Sequence, residues 1–285
     1  MATSHKTVVI TGASSGIGAA CAAELHRLGW RVFAGVRSDA AAEKIAAQGS
    51  DRLTPLRIDV TKPETIADAE RIVAEAVGPR GLDGLVNNAG IAVPGPVELI
   101  PLDAWRQQLE VNVLGVVATT QAFLPLLRPS RGRIVNISSV SGGQSSPFLG
   151  AYCASKHAVE AVADALRIEL RPWGIRVSNV EPGPIDTSIW RKSGDMAESL
   201  VEHIPPERLQ LYGRELTMLR EAVTQLAGSA SPVERVVRAV VHALSARRPK
   251  TRYFLGWSVR VCFKGMKMLP DGLRDWIVRK AEGLP

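Results

Sequence analysis

Tyr152 and Lys156 stand four residues apart in the stretch Ala151-Tyr-Cys-Ala-Ser-Lys-His157, and Ser139 lies thirteen residues before the tyrosine. A spacing of four on a helix puts two side chains on one face, so the Lys156 ammonium can lie beside the Tyr152 phenol. A free phenol titrates near about pH 10; a neighbouring cation stabilises the phenolate and moves the group toward the neutral range where acid/base catalysts work. Ser139 would add a donor to a substrate oxygen. Together the three could move a proton to or from that oxygen. An ordinary amphipathic helix surface also carries Y-x-x-x-K, so the surrounding elements must decide.

Short apolar, β-branched runs alternate with longer helical patterns, as in a parallel sheet covered on both faces. Strands are expected at Thr7 to Thr11, Arg31 to Val36, Leu53 to Ile58, Leu82 to Asn87, Arg133 to Ser138, Ile175 to Val180 and Arg252 to Leu255. Helices are expected from about Ile17 to Leu28, Pro63 to Val77, Asp103 to Leu126 and Ala151 to Arg171, the last carrying Tyr152 and Lys156 in its first two turns. Directly after the first strand, Thr11-Gly-Ala-Ser-Ser-Gly-Ile-Gly18 opens a helix. Glycines there permit a tight turn and close approach of backbone to a pyrophosphate at the helix N-terminus. In that setting the turn predicts dinucleotide binding, with the spacing G-x-x-x-G-x-G.

Thr11 to Gly18, Asn87-Asn-Ala-Gly90, Asn112, Ser139, Tyr152-x-x-x-Lys156 and Pro182-Gly183 with Thr187 resemble, in order and spacing, the motifs of the short-chain dehydrogenase/reductase family, over residues 5 to about 245. The resemblance implies an α/β, single-domain Rossmann fold: a doubly wound parallel sheet of about seven strands with helices on both faces, a nicotinamide cofactor and no metal. It makes Tyr152 the general acid in reduction and base in oxidation. Lys156 would hold the nicotinamide ribose and lower the Tyr152 pKa, Ser139 would polarise the carbonyl, and Asn112 would hold a water leading to Lys156. Ser138 is the rival to Ser139. For the cofactor, the resemblance implicates Gly12, Ser14, Ser15, Gly16, Ile17 and Gly18 at the turn, and Asn88, Ala89 and Gly90 at the adenine-side ribose. It also implicates Asp59 and Val60 at the adenine, and Pro182, Gly183, Ile185 and Thr187 at the carboxamide. Bracing the central strands is the alternative for Asn87 and Asn88, and capping the helix at Pro63 is the alternative for Asp59.

An acidic residue ending the second strand would bind a ribose 2′-hydroxyl, whereas an arginine would pair with a 2′-phosphate. The chain has Val36-Arg37-Ser38, so NADP(H) is expected over NAD(H), with Asp39 able to take the acid's place if the turn is shifted. Residues 182–226 lack the strand–helix rhythm and are expected to form a substrate lid within a domain of residues 1–256. Pro147-Phe148-Leu149, Trp190 and Leu209 to Leu219 would line an apolar cleft. Tyr152-Cys-Ala-Ser-Lys-His-Ala-Val-Glu-Ala and Glu181-Pro-Gly-Pro look most like the branch holding 17β-hydroxysteroid and retinol dehydrogenases. The resemblance implies a steroid-, retinoid- or long-chain-carbonyl-like alcohol or ketone. A 3-oxoacyl-carrier-protein-type reductase and a non-catalytic nucleotide-binding regulatory protein are the alternatives.

Composition narrows the setting. The 285 residues are 46% hydrophobic and 22% charged, as in a globular protein. The run of apolar residues expected of a membrane span, roughly 18, is not apparent, and strand residues follow Met1 too soon for a secretory signal; a cytoplasmic protein is expected. Cys21, Cys153 and Cys262 have neither metal-ligand nor disulfide spacing, which predicts reduced thiols. The net charge of +7 is placed at the end: from Arg247 onward ten Lys and Arg face three acidic residues, and the body is balanced. That distribution argues against nucleic acid. Residues 257–285 read as a basic amphipathic extension. Val259, Cys262, Phe263, Met266 and Leu269 form one side and Arg260, Lys264 and Lys267 another, with Leu273, Trp276 and Ile277 continuing the pattern. Such an element can lie on an anionic membrane, pack on its own subunits or meet an acidic carrier protein. The family resemblance also implies a homodimer or homotetramer.

Overall fold

The computed structural model describes residues 5–202, 204–213, 217, 230–255, 265–266, 269–281 and 283–284. Among them, seven strands form one parallel sheet: β1 (Thr7–Ile10), β2 (Arg31–Val36), β3 (Leu53–Arg57), β4 (Gly84–Asn87), β5 (Arg133–Ile137), β6 (Arg176–Glu181) and β7 (Arg252–Phe254), in the order β3-β2-β1-β4-β5-β6-β7. Alternate strand residues supply two cores. Val8, Ile10, Val32 and Val180 pack against α1 (Gly16–Arg27) and the helix Glu234–Ser245. Val9, Phe33, Leu85 and Ile134 pack on the other face against α3 (Pro63–Val77) and the long helix containing Phe123 and Leu127. Each such fully buried aromatic or aliphatic side chain contributes about 1.5–3 kcal/mol of burial. Pro55 fits in β3 because that strand lies at the sheet edge. α2 (Asp39–Ala46) follows β2.

The helix expected over Asp103 to Leu126 is three joined pieces: α4 (Leu102–Leu109), a π turn (Glu110–Leu114) and α5 (Gly115–Ser130). α5 continues through Pro125 because that proline and Gln121, whose carbonyl loses its helical partner, both lie on the exposed face. By length and composition Leu102–Ser130 is also apolar enough to cross a membrane, which corrects the expectation that no such segment exists. The averaged hydropathy is high although no unbroken apolar run is long. Its inner face is covered by the sheet, with Phe123 and Leu127 fully buried.

Across the middle of the sheet, Asn87, Asn136 and Asn179 are register partners on β4, β5 and β6. Asn87 Nδ2 donates to Asn136 Oδ1 at 2.9 Å, and Asn136 Nδ2 to Asn179 Oδ1 at 3.0 Å. Asn87 also donates to Thr120 Oγ1 at 3.0 Å, so for this residue the bracing alternative is realised.

α6 (Gly150–Glu169) stops two residues short of the expectation, where Arg171–Trp173 tighten into a 3-10 turn and Gly174 turns the chain with φ +71. The segment after β6 forms α7 (Ser188–Val201) and α8 (Pro206–Gln210); α9 (Glu234–Ser245) and, after β7, α10 (Asp271–Ala281) follow. The side chain of Trp190, residues 214–216 and 218–219 of the run Leu209 to Leu219, and Val259, Arg260, Cys262, Phe263, Lys264 and Lys267 lie outside the described residues.

Candidate active site

The sheet order reverses between β1 and β4, and a cleft of about 370 Å³ opens at their carboxyl ends, where open α/β sheets bind ligands. Gly12, Ser14, Ser15, Gly16, Ile17, Arg37, Asp59, Val60, Asn88, Ala89, Gly90, Ser139, Tyr152, Lys156, Pro182, Gly183, Ile185 and Thr187 all line it. Of the expected site residues, Gly18 and Asn112 do not.

The glycine turn is built to keep side chains out. Gly12 has φ +65, and a Cβ there would stand 2.8 Å from Ala89 Cα. A Cβ on Gly18 would collide with the Gly12 carbonyl and stand 2.5 Å from Asn88 Nδ2. Asn88 closes the turn by donating to Thr11 O at 2.9 Å and Gly12 O at 3.0 Å, while Thr11 Oγ1 accepts from the amides of Asn88 and Ala89, each at 3.0 Å. Asn88 therefore braces the turn as well as lining the cleft. The result is a tight cradle at the N-terminus of α1, open at its glycines and flanked by Ser14 and Ser15, which fits the pyrophosphate of a dinucleotide.

At the end of β2, Arg37 lines the cleft, whereas Asp39 pairs with Arg57 at 3.3 Å on the surface. Asp59 accepts from the Thr61 amide at 3.1 Å and hydroxyl at 2.7 Å, forming its own turn. Burial works to raise its carboxyl, but the Thr61 bonds, with Arg37 and Lys62 nearby, hold it below the ordinary value. The cap alternative is not what its side chain does: the residue before Pro63 is Lys62, and no side chain caps α3.

Ser139 follows β5 and shares a hydrogen bond with the Tyr152 phenol; Ser138 is buried, and its Oγ has no hydrogen-bond partner among the described residues. Tyr152 and Lys156 occupy the first two turns of α6, each 7% exposed, with Lys156 Nζ 5.6 Å from the Tyr152 ring centroid. Burial pushes the Tyr152 phenol up to about 12, against the Ser139 bond. This is the reverse of the shift expected from a neighbouring ammonium. Lys156 donates to Ile137 O at 2.8 Å, and burial brings it down to about 8, with Glu160 pulling upward. Desolvation outweighs attraction because both groups are enclosed.

Asn112 lies in the π turn with its side chain fully engaged. Its Oδ1 accepts from Ile91 N at 2.9 Å, and its Nδ2 donates to Ile91 O at 3.0 Å and Ser155 Oγ at 3.1 Å. Gln108, four residues earlier, accepts from Val93 N at 2.7 Å and donates to Ile91 O at 2.9 Å. It also reaches Ser155, whose hydroxyl donates to Tyr152 O at 2.7 Å. Gln108 and Ser155 thus hold the segment beside the tyrosine. The sequence reading missed them, though the i, i+4 spacing of Gln108 and Asn112 was the available signal.

Pro147 and Leu149 line the cleft, but Phe148 does not. Phe148 takes φ 62 while its carbonyl accepts from Gly95 N at 2.7 Å. Cys153 is buried, with a thiol that burial raises. From α7, Ile189, Lys192 and Ser193 reach the cleft, and the side chain of Thr187 packs over Gly16.

This arrangement has relatives. The family model for short chain dehydrogenases matches residues 6–198. The chain is 40% identical over 282 residues to 17-beta-hydroxysteroid dehydrogenase type 6 of Bos taurus, covering 97% of this chain and 88% of the relative. It is 39% identical over 278 residues to retinol dehydrogenase 16 of Homo sapiens, covering 96% and 87%. Among solved structures, a short chain dehydrogenase from Burkholderia cenocepacia in complex with NADP aligns with TM-score 0.73 at 26% identity, over 97% of this chain and 99% of that one. A short chain dehydrogenase/reductase from Burkholderia phymatum in complex with NAD aligns with TM-score 0.77 at 25% identity, over 94% and 96%. Sheet order, glycine cradle and the buried Ser139–Tyr152–Lys156 cluster agree with those matches, and the chain belongs to the short-chain dehydrogenase/reductase family.

Proposed function

We propose that the protein is an NAD(P)-dependent oxidoreductase acting on a hydrophobic secondary alcohol or its ketone, with NADP(H) preferred. The observation carrying this reading is that Ser139, Tyr152 and Lys156 open into the same cleft as the glycine cradle. The nicotinamide would accept or supply the hydride. Tyr152 exchanges the proton with the substrate oxygen, and burial keeps its phenol protonated, as the donor in carbonyl reduction must be before the step. Ser139 donates to the same oxygen, Lys156 holds the ribose and offsets charge at Tyr152, and Asn112 holds the segment at Ile91 beside them. Gly12 to Gly18 seat the pyrophosphate, Asp59, Val60 and Asn88 to Gly90 the adenosine side, and Pro182, Gly183, Ile185 and Thr187 the carboxamide.

Arg37 in the cleft, with Asp39 committed to Arg57, supports a 2′-phosphate site. The named activities of the steroid and retinol dehydrogenase relatives, and the apolar walls from Pro147, Leu149 and Ile189, support a steroid- or retinoid-like substrate. Exposed Leu102, Leu109 and Leu114 along α4 and the π turn support self-association. Exposed Leu273 and Trp276 on α10, with Arg279 and Lys280, support peripheral membrane contact. Turnover of a panel of steroids, retinoids and long-chain carbonyls with each cofactor tests the reading; no oxidation or reduction of any of them with either cofactor would overturn it.

A further inference from the structure

Behind Tyr152 the same face of α6 continues through Lys156 and Glu160 to Asp164, each four residues from the last. The two carboxylates converge on one side chain from another element. Arg252, the first residue of β7, donates through Nε to Glu160 Oε2 at 2.9 Å and through a terminal nitrogen to Asp164 Oδ2 at 2.8 Å. Its Nε also stands 3.4 Å from Oε1 of Glu181, the last residue of β6. Asp164 accepts from Arg167 as well, at 2.9 Å.

Three carboxylates, Glu160, Asp164 and Glu181, thus meet two guanidiniums, Arg252 and Arg167, one helical turn beyond Lys156. Glu160 is the carboxylate nearest it along the helix. One Glu160 oxygen is spent on Arg252, and the other is buried without a hydrogen-bond partner among the described residues. The 3-10 turn Val140–Gly142 after Ser139 seals this spot: a Cβ on Gly142 would stand 2.9 Å from Glu160 Cγ and 3.0 Å from Ser138 Oγ. Toward Lys156, α6 presents Tyr152 and Glu160, with Asp164 beyond them, while β6 contributes Glu181 and β7 Arg252. Ser138, between β5 and the 3-10 turn, is neutral, as are Gln108 of α4 and Asn112 of the π turn, both bonded to Ser155 next to Lys156. In so enclosed a place a carboxylate acts on its neighbour more strongly than it would in water.

We propose that Glu160 is a positioning residue that holds Lys156 in its charged form, and that Arg252 sets how much of the Glu160 charge Lys156 feels. The carboxylate would offset the desolvation of the ammonium, and the guanidinium would moderate that effect. β7, the last strand of the sheet, is thereby wired to the active-site lysine. This builds on the reductase reading but concerns the charge of Lys156 itself.

The test is a pair of variants of the full chain, Glu160→Gln and Arg252→Met, read in two ways. In ketone reduction, kcat/KM is followed across about pH 6 to 10, a range spanning the Lys156 titration. Glu160→Gln is expected to move the alkaline limb down by about one pH unit, so that the loss grows with pH. Arg252→Met is expected to move the limb up. The second reading is the pH dependence of unfolding free energy of the cofactor-free variants, each compared with the same change in a Lys156→Met background. The Lys156-dependent rise in stability should begin at lower pH in Glu160→Gln. A loss uniform in pH for Glu160→Gln with no shift of that onset, or displacement of both variants in the same direction, would overturn the proposal. If Arg252→Met does not fold, the isosteric Glu160→Gln decides alone. If the wild type reduces no carbonyl, the functional reading fails while the unfolding data still decide the role of Glu160.

Discussion

Lys156 Nζ donates to the Ile137 carbonyl at 2.8 Å, which fastens the second turn of α6 to the last residue of β5. The bond fixes where the ammonium stands relative to the Tyr152 ring, 5.6 Å from its centroid. The distance between proton donor and cation is thus a property of the sheet and helix together.

Tyr152→Phe should retain the fold, since only a hydroxyl on an otherwise packed ring is lost. Turnover of ketones should fall by about a hundredfold to ten-thousandfold, the usual contribution of a positioned general acid. Steady-state kinetics alongside a thermal melt checks this; unchanged kcat would refute the assigned proton donor.

The enclosed lysine gives stability a pH dependence of known sign. Lys156 falls from its ordinary 10.5 to about 8 in the folded protein, so between those values the unfolded chain holds more protons. Stability from this group is therefore fully present above 10.5 and lost as pH falls through 8, an effect of roughly 3 kcal/mol at most. Tyr152, raised from 10.0 to about 12, acts oppositely and only above 10. Urea denaturation of the cofactor-free protein at a series of pH values should show a rise from pH 8 toward 10 that Lys156→Met flattens.

Arg37→Ala should weaken NADPH by tenfold or more, on the order of 1.5–3 kcal/mol for a hydrogen bond to a charged group, and leave NADH nearly unaffected. Fluorescence titration of both reduced cofactors measures the ratio. Equal losses would remove the 2′-phosphate assignment.

Gln108→Leu should destabilise the protein by about 1–3 kcal/mol, because the buried Val93 amide loses its partner while the Ile91 carbonyl keeps the bond from Asn112. The midpoint of urea denaturation reads this directly. A shift below about 0.5 kcal/mol, the range of ordinary surface substitutions, would show that this amide finds another partner.

Much of the strand layout was legible because strands buried on both faces are written as short β-branched runs, and β2 and the helix at Pro63 fall where the sequence places them. The glycine turn was legible for a related reason: Gly12 and Gly18 stand where no side chain fits, so composition records the geometry. The π turn around Asn112 left no such mark, since widening a helix by one residue requires no special residue type. Nor did the left-handed backbone of Phe148, which the Gly95 contact holds. The direction of the Tyr152 shift escaped for a deeper reason. A spacing of four residues tells which cation is near, but burial depends on elements far apart in the chain.

The row of asparagines across β4, β5 and β6 does something that burial of apolar residues cannot. Strands buried on both faces are apolar on both, so burial alone distinguishes poorly between neighbouring registers. Displaced by two toward the start of its neighbours, Asn136 would face Leu85 and Val177 in place of Asn87 and Asn179, and buried amides would lose their partners. The amide row is therefore a phase marker, and it sets how far each strand projects at the end where Asn88, Ser139 and Pro182 enter the cleft.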